Sequence, residues 1–140
     1  MSECVFCSMI RGKSIATKVY ENEHLVAVMD IKPINSGHVL IVPKKHAELL
    51  TDLEDNIAGE IMMAAKKIAI AMKKSKLRVK AINYFMADGA EAGQEVFHAH
   101  MHIIPRYRSD GFYLHMPPNY DRETSRKELE DAATKIRAQL

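Results

Sequence analysis

Three histidines at alternate positions, His98, His100 and His102, are followed directly by Ile103 and Ile104. In a β-strand, alternate side chains project from the same face at intervals of ~6.6 Å. The spacing therefore predicts three imidazoles in a row on one face of a strand spanning residues 96–105. Burying them together costs solvation free energy unless each is paired. Because imidazole can act near neutral pH as nucleophile, proton carrier or metal ligand, the pattern indicates a functional site.

The composition is that of a globular protein, with 140 residues, 47% hydrophobic residues and a formal net charge of +2. This length predicts one domain over residues 1–140, and so small a charge gives no reason to expect nucleic acid or a membrane as the main partner. No segment approaches the ~20 apolar residues of a membrane span, so we expect no membrane partner and a cytoplasmic protein. In a reducing compartment, the spacing of Cys4 and Cys7 favours half a metal site over a structural disulfide.

The hydrophobic patterns predict an α+β fold, with an antiparallel sheet of about five strands, one long helix packed against it and a C-terminal helix. Thr51 and Glu54 fit a capping box at the start of the long helix. Behind this box, apolar residues recur at helical spacing. The predicted strands cover residues 18–22, 25–30, 38–43, 81–86 and 96–105, and the predicted helices cover 8–13, 52–74 and 124–138.

The residues alone leave two chemical readings of the histidine strand open. Histidines two apart on a strand can share a catalytic metal, although no nearby Asp or Glu clearly completes such a set. Alternatively, a neutral imidazole attacks phosphorus while its neighbours orient it and move protons. The loop between Gly89 and Gly93, whose amide groups could approach an anion closely, favours phosphorus.

Four blocks of the sequence resemble the histidine triad (HIT) superfamily of nucleotide hydrolases and transferases. The first is the segment from Ala92 to Arg106, and the others are residues 4–7, 28–33 and 37–46. The resemblance runs from about residue 4 to residue 112, and residues 113–140 form a C-terminal tail and helix. The cysteine pair is similar to that of the bacterial-type, zinc-containing branch.

The resemblance implies that His100 attacks the α-phosphorus of a nucleotide conjugate, forming a nucleotidyl-histidine that water then hydrolyses. His98 and His102 would flank this nucleophile, and His38 would support them from a neighbouring strand. Asp30 matches the position that accepts hydrogen bonds from ribose hydroxyls. The phosphate would lie against Gly93, Gln94 and Glu95, and the purine base against Val5, Phe6, Met9, Val28 and Ile31. No metal is required for this chemistry.

The resemblance also implies a structural zinc site formed by Cys4, Cys7, His46 and His98. It implies a homodimer paired through the long helix and a strand, for which Ile57, Ile61, Met62 and Met63 offer apolar surface.

The sequence departs from the family pattern at Glu95, at Ala87 and in the segment Lys13-Ser14-Ile15. Glu95 and Ala87 replace polar residues that are frequent in the family, which leaves the choice between phosphoramidates and dinucleoside polyphosphates open. Two other functions remain, a nucleotide-binding regulator with little turnover and a metal-dependent hydrolase that uses the three histidines as ligands.

Overall fold

A computed structural model describes residues 3–140 as a five-stranded sheet with three α-helices. The helices are α1 (Val5–Ile10), α2 (Asp55–Lys74) and α3 (Arg126–Arg137). The strands are β1 (Lys18–Glu21), β2 (Leu25–Met29), β3 (Val39–Pro43), β4 (Ala81–Phe85) and β5 (Met101–Arg106). The predicted α+β class is therefore confirmed.

The sheet has the strand order β1-β2-β3-β5-β4, and every neighbouring pair is antiparallel. β5, which carries His102, lies between β3 and β4, so its side chains have neighbours on both sides. β4 forms one edge of the sheet. The long connection that contains α2 crosses one face of the sheet and returns the chain to this edge.

The two faces of the sheet have different partners because strand side chains alternate. On one face, Ala27, Ile41 and Ile103 pack with the buried side of α2 in the larger core. On the other face, Val28 and Leu40 pack with residues of α1 in a smaller core. Since α1 is only six residues long, it covers part of that face and leaves the remainder open to a ligand.

The long helix begins later than predicted, at Asp55 rather than at residue 52. The proposed capping residues precede it, because Leu50–Asp52 form a 3₁₀ turn. There the Asp52 carboxylate accepts a hydrogen bond from the Leu49 N–H at 3.1 Å. Ile57 and Ile61 are buried in the core, whereas Met62 and Met63 are exposed. Only the two methionines therefore remain available for the expected dimer surface.

The histidine strand is shorter than predicted, since β5 begins at Met101 and runs to Arg106. β3 pairs with β5 only as far as Met101, opposite Ile41. Before that point the Ala99 N–H donates to the carbonyl of Ala47, beyond the end of β3, at 2.7 Å. The chain there is therefore not paired with β3. His98 and His100 therefore precede the strand, and the three imidazoles do not form one row.

Two other helix boundaries differ from the prediction. α1 begins at Val5 rather than at residue 8, so Cys7 lies on the helix. α3 begins at Arg126 because Ser125 caps it, accepting the Glu128 N–H at 3.2 Å. Within residues 3–140, no helix combines the length and apolar character needed to cross a membrane.

Candidate active site and candidate metal centre

A cleft of about 840 Å³ lies on the sheet face opposite α2. Its floor is a row of side chains that pair directly across four strands, namely Val28, Leu40, His102 and Phe85. His38 and His100 also line this cleft, whereas His98 does not. Two of the three alternate histidines, together with His38, therefore face a common ligand-sized space.

His100 is held in one tautomer by the backbone. Its Nδ1–H donates to the carbonyl of His98 at 2.7 Å, because a carbonyl oxygen can only accept. In the neutral imidazole the lone pair then lies on Nε2. The ring packs edge-on against Phe6, with a centroid distance of 5.0 Å. In its neutral form, His100 thus presents an oriented lone pair at the cleft.

His38 and His102 form a relay with a defined direction. The Ile34 N–H donates to His38 Nδ1 at 3.1 Å, so a neutral His38 carries its proton on Nε2. This Nε2–H donates to His102 Nδ1 at 2.8 Å, which leaves the proton of His102 on its Nε2. The carboxylate of Asp30 lies 3.5 Å from the same His38 Nε2.

Burial controls the protonation of this relay. Desolvation lowers the pKa of His38 against the opposing effect of Asp30. It also lowers the pKa of His102 to about 4, with further lowering from His100 and His38. At neutral pH His102 is therefore an uncharged hydrogen-bond donor through its Nε2–H.

Asp30, His38 and His102 present ligand atoms within 4.8 Å of one another. The tautomer of His38 nevertheless disfavours a metal here. Because His38 Nδ1 accepts from the Ile34 N–H, the proton of the neutral ring lies on Nε2, the nitrogen that faces the other two residues. His98 lies in a separate cluster. The three alternate histidines therefore do not converge on one ion, which counts against the metal-dependent hydrolase expected as an alternative.

The second cluster contains Cys4, Cys7, His46 and His98, all within the same ligand-to-ligand limit. His98 Nδ1 lies 3.4 Å from the Cys4 sulfur, 3.6 Å from the Cys7 sulfur and 3.2 Å from His46 Nδ1. In a tetrahedral zinc site with ordinary Zn–N and Zn–S bonds, two nitrogen ligands lie about 3.3 Å apart, and a nitrogen lies about 3.6 Å from a sulfur. The four ligand atoms thus fit a closed zinc site.

His98 has the tautomer that such a site needs. Its Nε2–H donates to the carbonyl of Pro43 at 2.8 Å, leaving the lone pair on Nδ1 toward the cysteines. A metal-bound histidine usually donates its other ring N–H to a group such as a backbone carbonyl. Burial raises the pKa of the Cys7 thiol, with a further contribution from Cys4. A divalent cation would offset this by stabilising the thiolate.

All the residues that the resemblance assigns to nucleotide binding lie together at this cleft. They are Val5, Phe6, Met9, Val28, Asp30, Ile31, Gly93, Gln94 and Glu95. Ile31 is 89% exposed at the rim. Phe85, Phe112 and Leu114 also line the cleft, and the sequence analysis missed all three. None of them belongs to a motif, and only the sheet register and the path of the tail bring them to the site.

The loop expected to cradle phosphate directs most of its amide groups inward. The N–H groups of Ala92 and Gln94 donate to the carbonyl of Gly89, and that of Gly93 donates to Ala90. The Gln94 side chain braces the same loop, accepting the Gly89 N–H at 2.7 Å and donating to Glu48. Within residues 3–140, the Glu95 N–H has no such partner. It is therefore one of the amide groups of this loop that remain available to an anion, together with those of Ala90 and Glu91.

Fold and site together define an α+β protein with a histidine-lined cleft on one face of an antiparallel sheet. The chain belongs to the HIT family, since the HIT domain profile matches residues 11–109. The Bacillus subtilis protein named "Protein hit" is 43% identical over 110 residues, covering 78% of this chain and 75% of that protein. The crystal structure of a HIT family member from B. subtilis superposes with a TM-score of 0.90 at 36% identity, covering 99% of this chain and 98% of that one.

A further solved relative bears on the cysteine cluster. It is a histidine triad family protein from Mycobacterium smegmatis, described as Zn-bound, with 31% identity and a TM-score of 0.75. The match covers 98% of this chain and 97% of that one. A metal in a protein of this fold is therefore compatible with the Cys4–Cys7–His46–His98 cluster.

Proposed function

We propose that this protein is a nucleotide hydrolase or transferase. It cleaves the α-phosphate bond of purine nucleoside monophosphate conjugates, which are phosphoramidates or dinucleoside polyphosphates. The observation that carries this proposal is the 2.7 Å hydrogen bond from His100 Nδ1–H to the His98 carbonyl. It leaves the other nitrogen of a neutral imidazole free as a nucleophile at a ligand-sized cleft.

In the first step, the lone pair of His100 Nε2 forms a bond to the α-phosphorus. The bond from phosphorus to the leaving group breaks, and the leaving group departs with that electron pair. An amine leaving group takes up a proton from solvent and departs as the neutral amine. The imidazole ring of the nucleotidyl-histidine gains positive charge, which the His98 carbonyl stabilises through Nδ1–H. Water then attacks the phosphorus and gives a proton to solvent. The bond from phosphorus to Nε2 breaks, which returns the lone pair to Nε2 and releases the nucleoside monophosphate.

Two donors are suited to the charge on the transferring phosphate. His102 offers its Nε2–H, because its Nδ1 accepts from His38 at 2.8 Å. The Glu95 N–H is the second donor. This role requires the Glu95 carboxylate to point away from the phosphate, because like charges repel. Since burial lowers the pKa of His102 to about 4, His102 donates a hydrogen bond rather than a full proton at neutral pH. His98 acts by positioning His100.

The nucleoside binds on the β2 side of the cleft in this proposal. Asp30 is partly buried, and its Oδ1 already accepts the Lys32 N–H at 2.8 Å. Its other oxygen can accept from ribose hydroxyls. The apolar side chains Phe6 and Met9 from α1, with Val28 from β2, form the wall for the base.

We also propose that Cys4, Cys7, His46 and His98 hold a structural zinc, which fixes α1 to the segment that carries His100. Thiolate ligands of this kind suit the reducing cytoplasm. A homodimer paired through the exposed face of α2 and the edge strand β4 is supported by the exposure of Met62 and Met63. Neither assignment is needed for the chemistry at His100.

The test is AMP release from adenosine 5′-phosphoramidate and from diadenosine tetraphosphate, measured by chromatography for the native protein and His100→Ala. We expect release by the native protein and a loss of at least about 10³-fold in the variant. His115→Ala, in the exposed tail, is the matched control and should retain native turnover.

A base quench of the native reaction should trap a nucleotidyl adduct on His100. A His100→Ala protein with native turnover would refute the nucleophile, and AMP binding without turnover would favour the nucleotide-binding regulator.

A further inference from the structure

The cleft extends past the histidines to the edge of the sheet. Its floor runs from Val28 on β2 through His102 to Phe85 on β4. In the proposed function, the nucleoside occupies the β2 side and the α-phosphate lies at His100 and His102. The group attached to the other side of that phosphate therefore extends over β4.

The β4 side of the cleft is largely apolar and aromatic, with Asn83 and Tyr84 as its polar members. Phe85 packs against His102 with a ring-centroid distance of 5.8 Å, and Ile104, Phe112 and Leu114 continue the lining. Among the lining residues within 3–140, Lys32 is the sole lysine or arginine, and it follows Asp30 on the nucleoside side. A polyphosphate chain over β4 would have no cationic side chain to neutralise its charge.

One tail residue of this wall, Phe112, is held by an ion pair between Arg106 and Asp110. The Asp110 side chain is 2% exposed and accepts from Arg106 Nε at 2.6 Å and from Asn35 at 2.8 Å. Arg106 also donates to the carbonyl of Phe112, and its guanidinium lies over the Phe112 ring, 4.8 Å from the centroid. Arg106 is thus occupied by the protein itself and holds Phe112 beside β4.

We propose that Phe85, Phe112 and Leu114 form a leaving-group subsite for an apolar amine, and that the Arg106–Asp110 pair positions its wall. This inference rests on the proposed function and narrows its substrates to phosphoramidates that carry an apolar or aromatic amine. Burying one aromatic ring against this wall should strengthen binding by about tenfold.

The test separates binding from turnover. In a His100→Ala background, calorimetry measures the affinity for AMP and for the benzylamide of AMP, which differ only in the leaving group. We expect the benzylamide to bind about tenfold more tightly, and Phe112→Ala or Leu114→Ala to remove this difference while AMP affinity is unchanged. Tyr113→Ala is the matched control, because Tyr113 lies between them, is 77% exposed and does not line the cleft.

Turnover provides the second measurement. With His100 intact, Phe112→Ala should lower kcat/KM for the benzylamide by about tenfold and for the unsubstituted phosphoramidate by less than about twofold. Equal affinities for AMP and the benzylamide, or equal losses for both substrates, would overturn the subsite. So would a native preference for diadenosine tetraphosphate. If no conjugate is hydrolysed but the benzylamide still binds more tightly, the proposed function fails and the subsite stands.

Discussion

The two ends of the three-histidine segment have opposite chemistry. His98 donates through Nε2–H to the Pro43 carbonyl and presents the Nδ1 lone pair to two cysteines. His102 accepts on Nδ1 from His38 and retains a proton on Nε2. The neighbour of each ring selects the nitrogen that remains available. Alternate spacing therefore brings imidazoles to one region, but hydrogen-bond partners determine what each of them can do.

The cysteine cluster and the cleft are connected through two contacts. The His98 carbonyl orients His100, and Phe6 packs edge-on against both rings, at centroid distances of 5.7 Å and 5.0 Å. Since Phe6 lies on α1 beside Cys7, a metal in the cluster would hold both the nucleophile and one wall of the cleft. In the proposed function, the metal-bound cluster stabilises the fold, while the cleft performs the chemistry.

The largest effect should come from removing the cysteine ligands. Replacing both Cys4 and Cys7 by serine should eliminate bound zinc and lower the free energy of unfolding by about 3 kcal/mol or more. The midpoint of thermal unfolding should fall by about 10 °C, as measured by circular dichroism with elemental analysis of the same sample. Ser8→Ala, next to Cys7 on α1, is the control and should retain the metal. An unchanged midpoint after chelation of the native protein would contradict the structural role.

A smaller effect, on nucleotide affinity, is expected at the cluster of Asp30, His38 and His102. Asp30→Ala removes the proposed ribose contact, and since a hydrogen bond to a charged group contributes about 1.5–3 kcal/mol, AMP affinity should fall by tenfold or more. The affinity for 2′,3′-dideoxy-AMP should change little, because that ligand lacks both hydroxyls. Calorimetry compares the two ligands, with Asp121→Ala in the exposed tail as control. An equal loss of affinity for both ligands would mean that Asp30 acts only on His38 and His102 and does not contact the ribose.

The sequence predicted the order of helices and strands along the chain well, because β2 and β3 are continuous apolar runs and α2 has apolar residues at helical spacing. It placed the capping box at Thr51, whereas Asp52 caps a 3₁₀ turn and the helix starts at Asp55. A local capping pattern does not show whether its residues begin the α-helix or a 3₁₀ turn that precedes the helix. Likewise the alternation of histidines could not show that the strand starts at Met101, since the hydrogen bond from Ala99 to Ala47 is a long-range contact.

The residues of the candidate site were predicted unevenly for the same reason. Asp30, His38 and His100 lie in motifs, and the structure brings them to one cleft. Phe112 lies in a tail without periodicity, and it reaches the cleft because Asp110 and Arg106 pair beneath it. Gln94 was expected to contact phosphate, but the structure shows its side chain bonded to the backbone of Gly89 and Glu48.

The smallest expected effect concerns pH. The unfolded chain protonates His102 near pH 6.5, whereas burial lowers the pKa of His102 to about 4 in the folded protein. Between these values the unfolded state binds more protons, so stability should decrease as pH falls from about 6.5 to about 4. His102→Asn should make this decrease shallower by up to about one proton, measured by urea unfolding across the range. His24 is the contrasting case, since Glu60 raises its pKa, and His24→Asn should not flatten the decrease.

The unequal division of the three histidines is tested most directly by elemental analysis of metal bound per chain in His98→Ala, His100→Ala and His102→Ala. The proposed division predicts native metal content in the His100 and His102 variants and a loss of metal in the His98 variant alone. Equal loss of metal in all three would mean that the histidines share one ion, which would contradict the assignment of His98 to the cysteines and of His100 to phosphorus.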